Sequence, residues 1–232
     1  MDEGDVWGDA GGVFEEHSWL GGDTKLRVYR FLDEEYAIRS IQERRLKVSR
    51  LDDLNDPFEF QVALDRSSAE SIAITETLKN LSDQWGVLCF SRGWGNPVIW
   101  SHYARKHYGI ALGFEIPDDG PMTVTYANAL PAPRFTRRDE RTEIDTQSIQ
   151  EILATKFAHW HYEQEVRAWY ELESCTREGD YYFKTFSAEL NLREVILGAR
   201  CAVAEADERL RLLASSVTVR RAALSHDRYE MK

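Results

Sequence analysis

Val87-Leu-Cys-Phe-Ser91, Arg92-Gly-Trp-Gly-Asn-Pro97, Val98 to His107 and Ile110-Ala-Leu-Gly-Phe-Glu-Ile116 follow one another and decide the fold class. The first and last runs are short, apolar and bounded by turn formers, which reads as buried strand. Between them the sequence predicts a loop and one short helix. Met122 to Ala127 then alternates as a further strand. Strand and helix therefore do not alternate regularly. This favours an α+β fold, a single mixed domain with a central mostly antiparallel sheet and flanking helices, over a doubly wound parallel sheet.

Working outward, Leu26 to Phe31 predicts an early strand, and Asp33 stands at the N-cap of a short helix with Ala37, Ile38 and Ile41 on one face. Leu46 to Ser49 reads as a strand, and Leu54-Asn-Asp-Pro-Phe-Glu59 as a loop. Ile74, Leu78, Leu81 and Trp85 fall at helical spacing, with Gly86 ending the helix. Downstream, residues 128–141 read as a polar loop bearing Arg134, Arg137, Arg138 and Arg141. Ile149, Ile152, Leu153, Phe157 and Trp160 predict an amphipathic helix. Strands are expected over Gln164–Leu172, Tyr181–Phe186, Val195–Leu197 and Val217–Ala223, with a helix over Ala204–Ala214.

The 232 residues carry a net charge of −11. Residues 1–23 hold seven acids, no Lys or Arg and six of the 14 glycines, so they contribute −7 and leave −4 for residues 24–232. The first stretch reads as a flexible acidic Gly-rich leader, a segment for docking a partner protein, ahead of one α+β domain over 24–232. No apolar run is long enough to cross about 30 Å of hydrocarbon, and no signal-peptide pattern is present. No membrane association is expected, and the chain reads as cytoplasmic. Cys89, Cys175 and Cys201 are widely spaced with no C-x-x-C pair, which disfavours a disulfide scaffold and a cysteine-rich zinc module.

The P-loop, dinucleotide-fingerprint, zinc-protease and esterase motifs are absent from the sequence. Four constellations remain. In Tyr162-Glu-Gln-Glu-Val-Arg167, strand geometry puts Glu163, Glu165 and Arg167 on one face. They are either a solvent-facing charge ladder or a pair of working carboxylates. Tyr29 and Arg30 with Asn55 to Glu59 are either an edge strand and capping turn or a grip on a phosphate or amide. Phe90-Ser-Arg92 with Trp100-Ser-His-Tyr103 supplies core and cap residues, or rings lining a pocket. His159-x-His161 falls at an expected helix end, where residues two apart diverge, so no metal site is assigned.

Taken in order, Tyr29-Arg30-Phe31, Asn55 to Glu59, Cys89-Phe-Ser91, Trp100 to Tyr103, Gly109 to Phe114, Tyr162 to Arg167 and Val195 to Gly198 resemble a bacterial family described only as a domain of unknown function. The order of parts is also similar to that of ADP-ribosyltransferases, especially the DNA-targeting toxin branch. That resemblance implies an ADP-ribosyltransferase-like fold and an enzyme that uses NAD as substrate. It would cleave the nicotinamide–ribose bond and transfer ADP-ribose to an unknown macromolecular acceptor, protein or nucleic acid, in a toxin or anti-phage role. It implies Glu165 and Glu163 as catalytic residues, and Tyr29, Arg30, Asn55, Asp56, Ser91 and Tyr103 as residues binding NAD. The other function class is a non-catalytic ligand-sensing or partner-binding module of a bacterial defence system, in which the same acids are scaffold.

Overall fold

In this computed structural model, residues 24–63, 69–138, 141–210, 213 and 215–232 are described. The described elements run in chain order from β1 (Lys25–Leu32), α1 (Glu34–Glu43) and β2 (Arg45–Val48) to α2 (Ala69–Gln84), β3 (Trp85–Ser91) and α3 (Pro97–Tyr103). Next come β4 (Ile110–Pro117), β5 (Met122–Thr123), β6 (Thr125–Ala127), β7 (Phe135–Arg138), β8 (Arg141–Ile144), α4 (Thr146–Ala154) and β9 (Thr155–Phe157). The chain then forms β10 (Glu165–Glu171), β11 (Thr176–Glu178), β12 (Tyr181–Thr185), β13 (Asn191–Leu197) and β14 (Thr218–Arg221).

The long apolar runs make a central sheet of order β14-β13-β4-β1-β3-β10-β5. Each neighbouring pair is antiparallel except β13 with β14. The protein is thus a mixed α+β fold around a mostly antiparallel sheet. One face carries Val28, Leu88, Leu112, Phe114 and Val166 and is covered by Ala37, Ile38 and Ile41 of α1. The other face is covered in two parts. Ile99 and Trp100 of α3 pack on Tyr29, Phe31 and Ala111, while Leu81 of α2 and Ile152 and Leu153 of α4 pack on Val87 and Trp169. Removing each of the Val, Leu, Ile and Phe side chains among these from water stabilises the fold by about 1.5–3 kcal/mol before entropy is subtracted. The two coverings leave between them the region described below.

Several elements form for the reasons the sequence gives. Asp33 caps α1, accepting the Tyr36 N–H at 3.0 Å, and Asn96 caps α3, accepting the Val98 N–H at 2.9 Å. Others differ from expectation. Helix α3 stops at Tyr103, because Arg105, Lys106 and His107 adopt left-handed backbone angles (φ 45°, 57° and 73°) that turn the chain into β4. Gly198 allows that turn to pack closely, since a Cβ there would lie 2.2 Å from the His107 carbonyl oxygen. Gly86 does not end a helix: α2 passes directly into β3, which contains it.

Residues Met122 to Ala127 divide between β5 in the main sheet and β6, which pairs in parallel with β9. The expected polar loop over 128–141 instead contains β7, which forms a hairpin with β8. The helix expected to reach Trp160 ends at Ala154, and β9 and a 3-10 turn over Ala158–Glu163 take its place. Within the span expected to be helical over Ala204–Ala214, the described residues hold only a 3-10 turn, Glu208–Leu210. The acidic leader, residues 1–23, lies outside the described residues. No helix among the described residues is long and apolar enough to cross a membrane.

Candidate functional site

Two strands meet at one point to open a cleft. β3 pairs with β10 along seven consecutive positions, from Glu165↔Ser91 to Glu171↔Trp85. β1 pairs with β3 only at Tyr29↔Ser91. Beyond that point the Arg30 side chain reaches across, donating from Nη1 to the Cys89 carbonyl at 2.7 Å. The register places Tyr29, Ser91 and Glu165 side by side on one sheet face, so Tyr29 and Glu165 stand about 10 Å apart across two strand spacings. The cleft is about 250 Å³ and is lined by residues that include Arg30, Ser91, Tyr103, Lys156, Glu163 and Glu165. This is below the roughly 300–1,000 Å³ of pockets that enclose a whole drug-sized ligand.

The chain entering β10 decides which acid goes where. Glu163 is the last residue of the 3-10 turn, and Gln164 takes a left-handed conformation (φ 46°) before the strand begins at Glu165. Glu163 therefore does not continue the strand alternation that the sequence predicts for it. Nor is the group a solvent-facing ladder: Glu163, Glu165 and Arg167 are all buried, Arg167 completely. Lys156 arrives from β9 and lies opposite Tyr126 of β6. The Tyr126 hydroxyl accepts the Glu165 N–H at 2.7 Å.

Four of these groups close a ring. Arg167 donates from Nε to Glu165 Oε1 at 2.8 Å and from Nη2 to Glu59 Oε2 at 2.6 Å. Lys156 Nζ lies 2.8 Å from Glu165 Oε2 and 3.1 Å from Glu59 Oε1. Two acids and two bases balance, and Arg167 uses Nη1 on the Leu153 carbonyl at 2.7 Å. Pairing of this completeness is what makes buried charge tolerable. Glu163 is the surplus acid. Its Oε2 accepts from Lys156 at 2.7 Å, and its Oε1 accepts from the neutral Tyr103 hydroxyl at 2.5 Å.

Proton affinities follow from this arrangement. Burial alone would raise the Glu165 carboxyl, but the charges of Arg167 and Lys156 overcome it and hold the group at about 2. Burial opposes the Lys156 charge, yet Glu165, Glu59 and Glu163 keep it above the ordinary lysine range. Glu163 lies on the other side of the balance: burial raises it, and Lys156 and the Tyr103 hydrogen bond offset that only in part. Of the two acids read from the sequence, Glu165 is held below the ordinary carboxylate range and Glu163 is pushed above it.

The remaining sequence-predicted residues divide. Arg30, Ser91, Asn55 and Tyr29 line the cleft with Tyr103. The Tyr29 hydroxyl is turned to Glu194 of β13 at 3.0 Å, and Ser91 Oγ donates to the Gly93 carbonyl at 2.8 Å. The Asp56 side chain caps the Phe58 N–H at 2.9 Å and accepts Trp160 Nε1–H at 2.7 Å, so it anchors the turn that carries Glu163. Sequence reasoning did not single out Lys156, and it named Glu59 only as the end of the Asn55 to Glu59 motif, without a role in the site. Arg167 carried a usable signal, as a lone charge inside the apolar strand Val166-Arg-Ala-Trp-Tyr170 that requires buried acids to meet it. Lys156 carried none, because an isolated lysine beside an amphipathic run reads as surface.

Compared with protein-family models, with curated proteins and with solved structures, the chain matches none.

Proposed function

We propose that the cleft binds NAD and that the protein is an ADP-ribosyltransferase-like enzyme with the corresponding fold. One observation carries this reading: a guanidinium and a surplus carboxylate line the same cleft. Arg30 makes no ion pair among the described residues, and Glu163 is the acid of its cluster that meets one cation, Lys156, where Glu59 and Glu165 each meet two. Such a cleft suits a ligand that is anionic at one end and cationic at the reacting end.

In this reading Arg30 neutralises a pyrophosphate oxygen. The C1′–N bond breaks, its electron pair leaves with neutral nicotinamide, and positive charge develops on the ribose as in glycoside cleavage. A carboxylate about 4 Å from that charge is worth about 4 kcal/mol at an effective dielectric near 20, close to a thousandfold in rate. Glu163 supplies it. Glu165, the first choice from sequence, is committed to Arg167 and Lys156 and fixes the position of Lys156 instead. The acceptor forms the new bond to C1′ and gives its proton to Glu163. Transfer to a protein side chain or a nucleic-acid base, and a toxin or anti-phage role, rest on the sequence resemblance.

The complete pairing of Glu165 favours a second reading, a ligand sensor without turnover. Incubation with labelled NAD plus lysate or nucleic acid separates the two. The enzyme reading expects label transfer that disappears in Glu163→Gln and in Arg30→Ala. NAD binding without transfer supports the sensor, and no NAD binding removes both in favour of a scaffold.

A further inference from the structure

The sequence resemblance implies Tyr103 as an NAD-binding residue. Its hydroxyl is already engaged elsewhere. It donates to Glu163 Oε1 at 2.5 Å, and it receives a hydrogen bond from Asn55 Nδ2 at 3.3 Å. A phenol has a single proton, so a donor aimed at its oxygen from Asn55 leaves that proton directed at the carboxylate. Tyr103 stands at the end of α3, Asn55 in the loop after β2, and Glu163 in the turn before β10, so three separate segments meet at the Tyr103 hydroxyl. The same loop grips the same turn through Asp56 and Trp160.

We propose that Tyr103 is a positioning residue for Glu163: it fixes the carboxylate in the cleft and sets how tightly that carboxylate holds a proton, and Asn55 orients the Tyr103 hydroxyl. This rests on the assignment of Glu163 as the working carboxylate in the proposed function. The ionisable groups around it are Lys156 from β9, Glu165 and Arg167 from β10, Glu59 from the loop after β2, Tyr126 from β6, Arg30 across the cleft and the adjacent Tyr162. Among them only Lys156 and Tyr103 place a donor on the Glu163 carboxylate. A strong, short bond to the ionised form favours that form. Without it, Lys156 alone opposes the effect of burial.

The test titrates the carboxyl carbon of Glu163 by NMR in glutamate-labelled full-length protein without ligand, its resonance assigned by its loss in Glu163→Gln. Tyr103→Phe retains the ring and removes the donor. Its Glu163 midpoint is expected to rise by about one to two pH units, the size of one hydrogen bond to a charged group. Asn55→Ala is expected to raise it by a smaller amount. Tyr162→Phe removes a hydroxyl that contacts His102 instead, at 2.9 Å, and is expected to leave the midpoint in place. An unchanged or lowered midpoint in Tyr103→Phe overturns the proposal, as does an equal rise in Tyr162→Phe. If Tyr103→Phe does not fold, an unchanged midpoint in Asn55→Ala overturns it. Because no NAD is present, failure to cleave NAD with the shift intact counts against the transferase reading alone.

Discussion

Glu163 and Glu165 stand two residues apart and differ in character because of what reaches each oxygen. Glu165 meets a cation on both sides, and Glu163 meets one cation and one phenol. The consequence is opposite pH behaviour. The Glu165 carboxyl falls from its ordinary value near 4.5 to about 2 on folding, so its contribution to stability is complete above about pH 4.5 and is lost as pH falls toward 2. Glu163 is raised, so its contribution is present below its ordinary value and fades as pH rises through the folded one. Melting temperature followed from pH 5 to pH 2 should therefore drop steeply in the wild type and more gently in Glu165→Gln. Parallel acid limbs in the two proteins would mean that the ring does not hold the Glu165 charge.

Among the elements, those set by a local rule were readable. The Asp33 cap with three apolar residues on one helical face defines α1, and Asp33→Ala should cost about 1 kcal/mol in chemical denaturation. β1, β3, β4 and β10 were legible as apolar runs. Elements set by distant partners were not. β7 and β8 have no apolar alternation of their own and form by pairing with each other and by packing β8, through Ile144, on the cluster that includes Leu81 of α2. Phe157 and Trp160 continue the apolar spacing of a helix over 149–160, but the helix ends at Ala154 and Lys156 lies in β9, facing three carboxylates. The site shows the same division. Glu163, Glu165 and Arg30 were readable from their motifs, but the ring that assigns their roles joins Glu59 to Arg167 across 108 positions, and no local pattern encodes such a pairing. It also supplies a physical link between the Asn55–Glu59 and Tyr162–Arg167 segments, since each completes the other's charges.

Over the whole molecule, two separate coverings of one sheet face, together with the single ladder pair between β1 and β3, leave a cleft with a guanidinium on one wall and a net negative floor. Charge over residues 24–232 is nearly balanced at −4, so the polarity of this cleft is local and belongs to the five-residue cluster and Arg30. The account turns on the surplus carboxylate in that floor. The most direct measurement is the rate of nicotinamide release from NAD by purified wild-type protein and by Glu163→Gln, with NAD affinity measured alongside. The account predicts release by the wild type, a loss of about a thousandfold in the variant and retained NAD binding. Equal rates in the two proteins, or no release by the wild type, would contradict it.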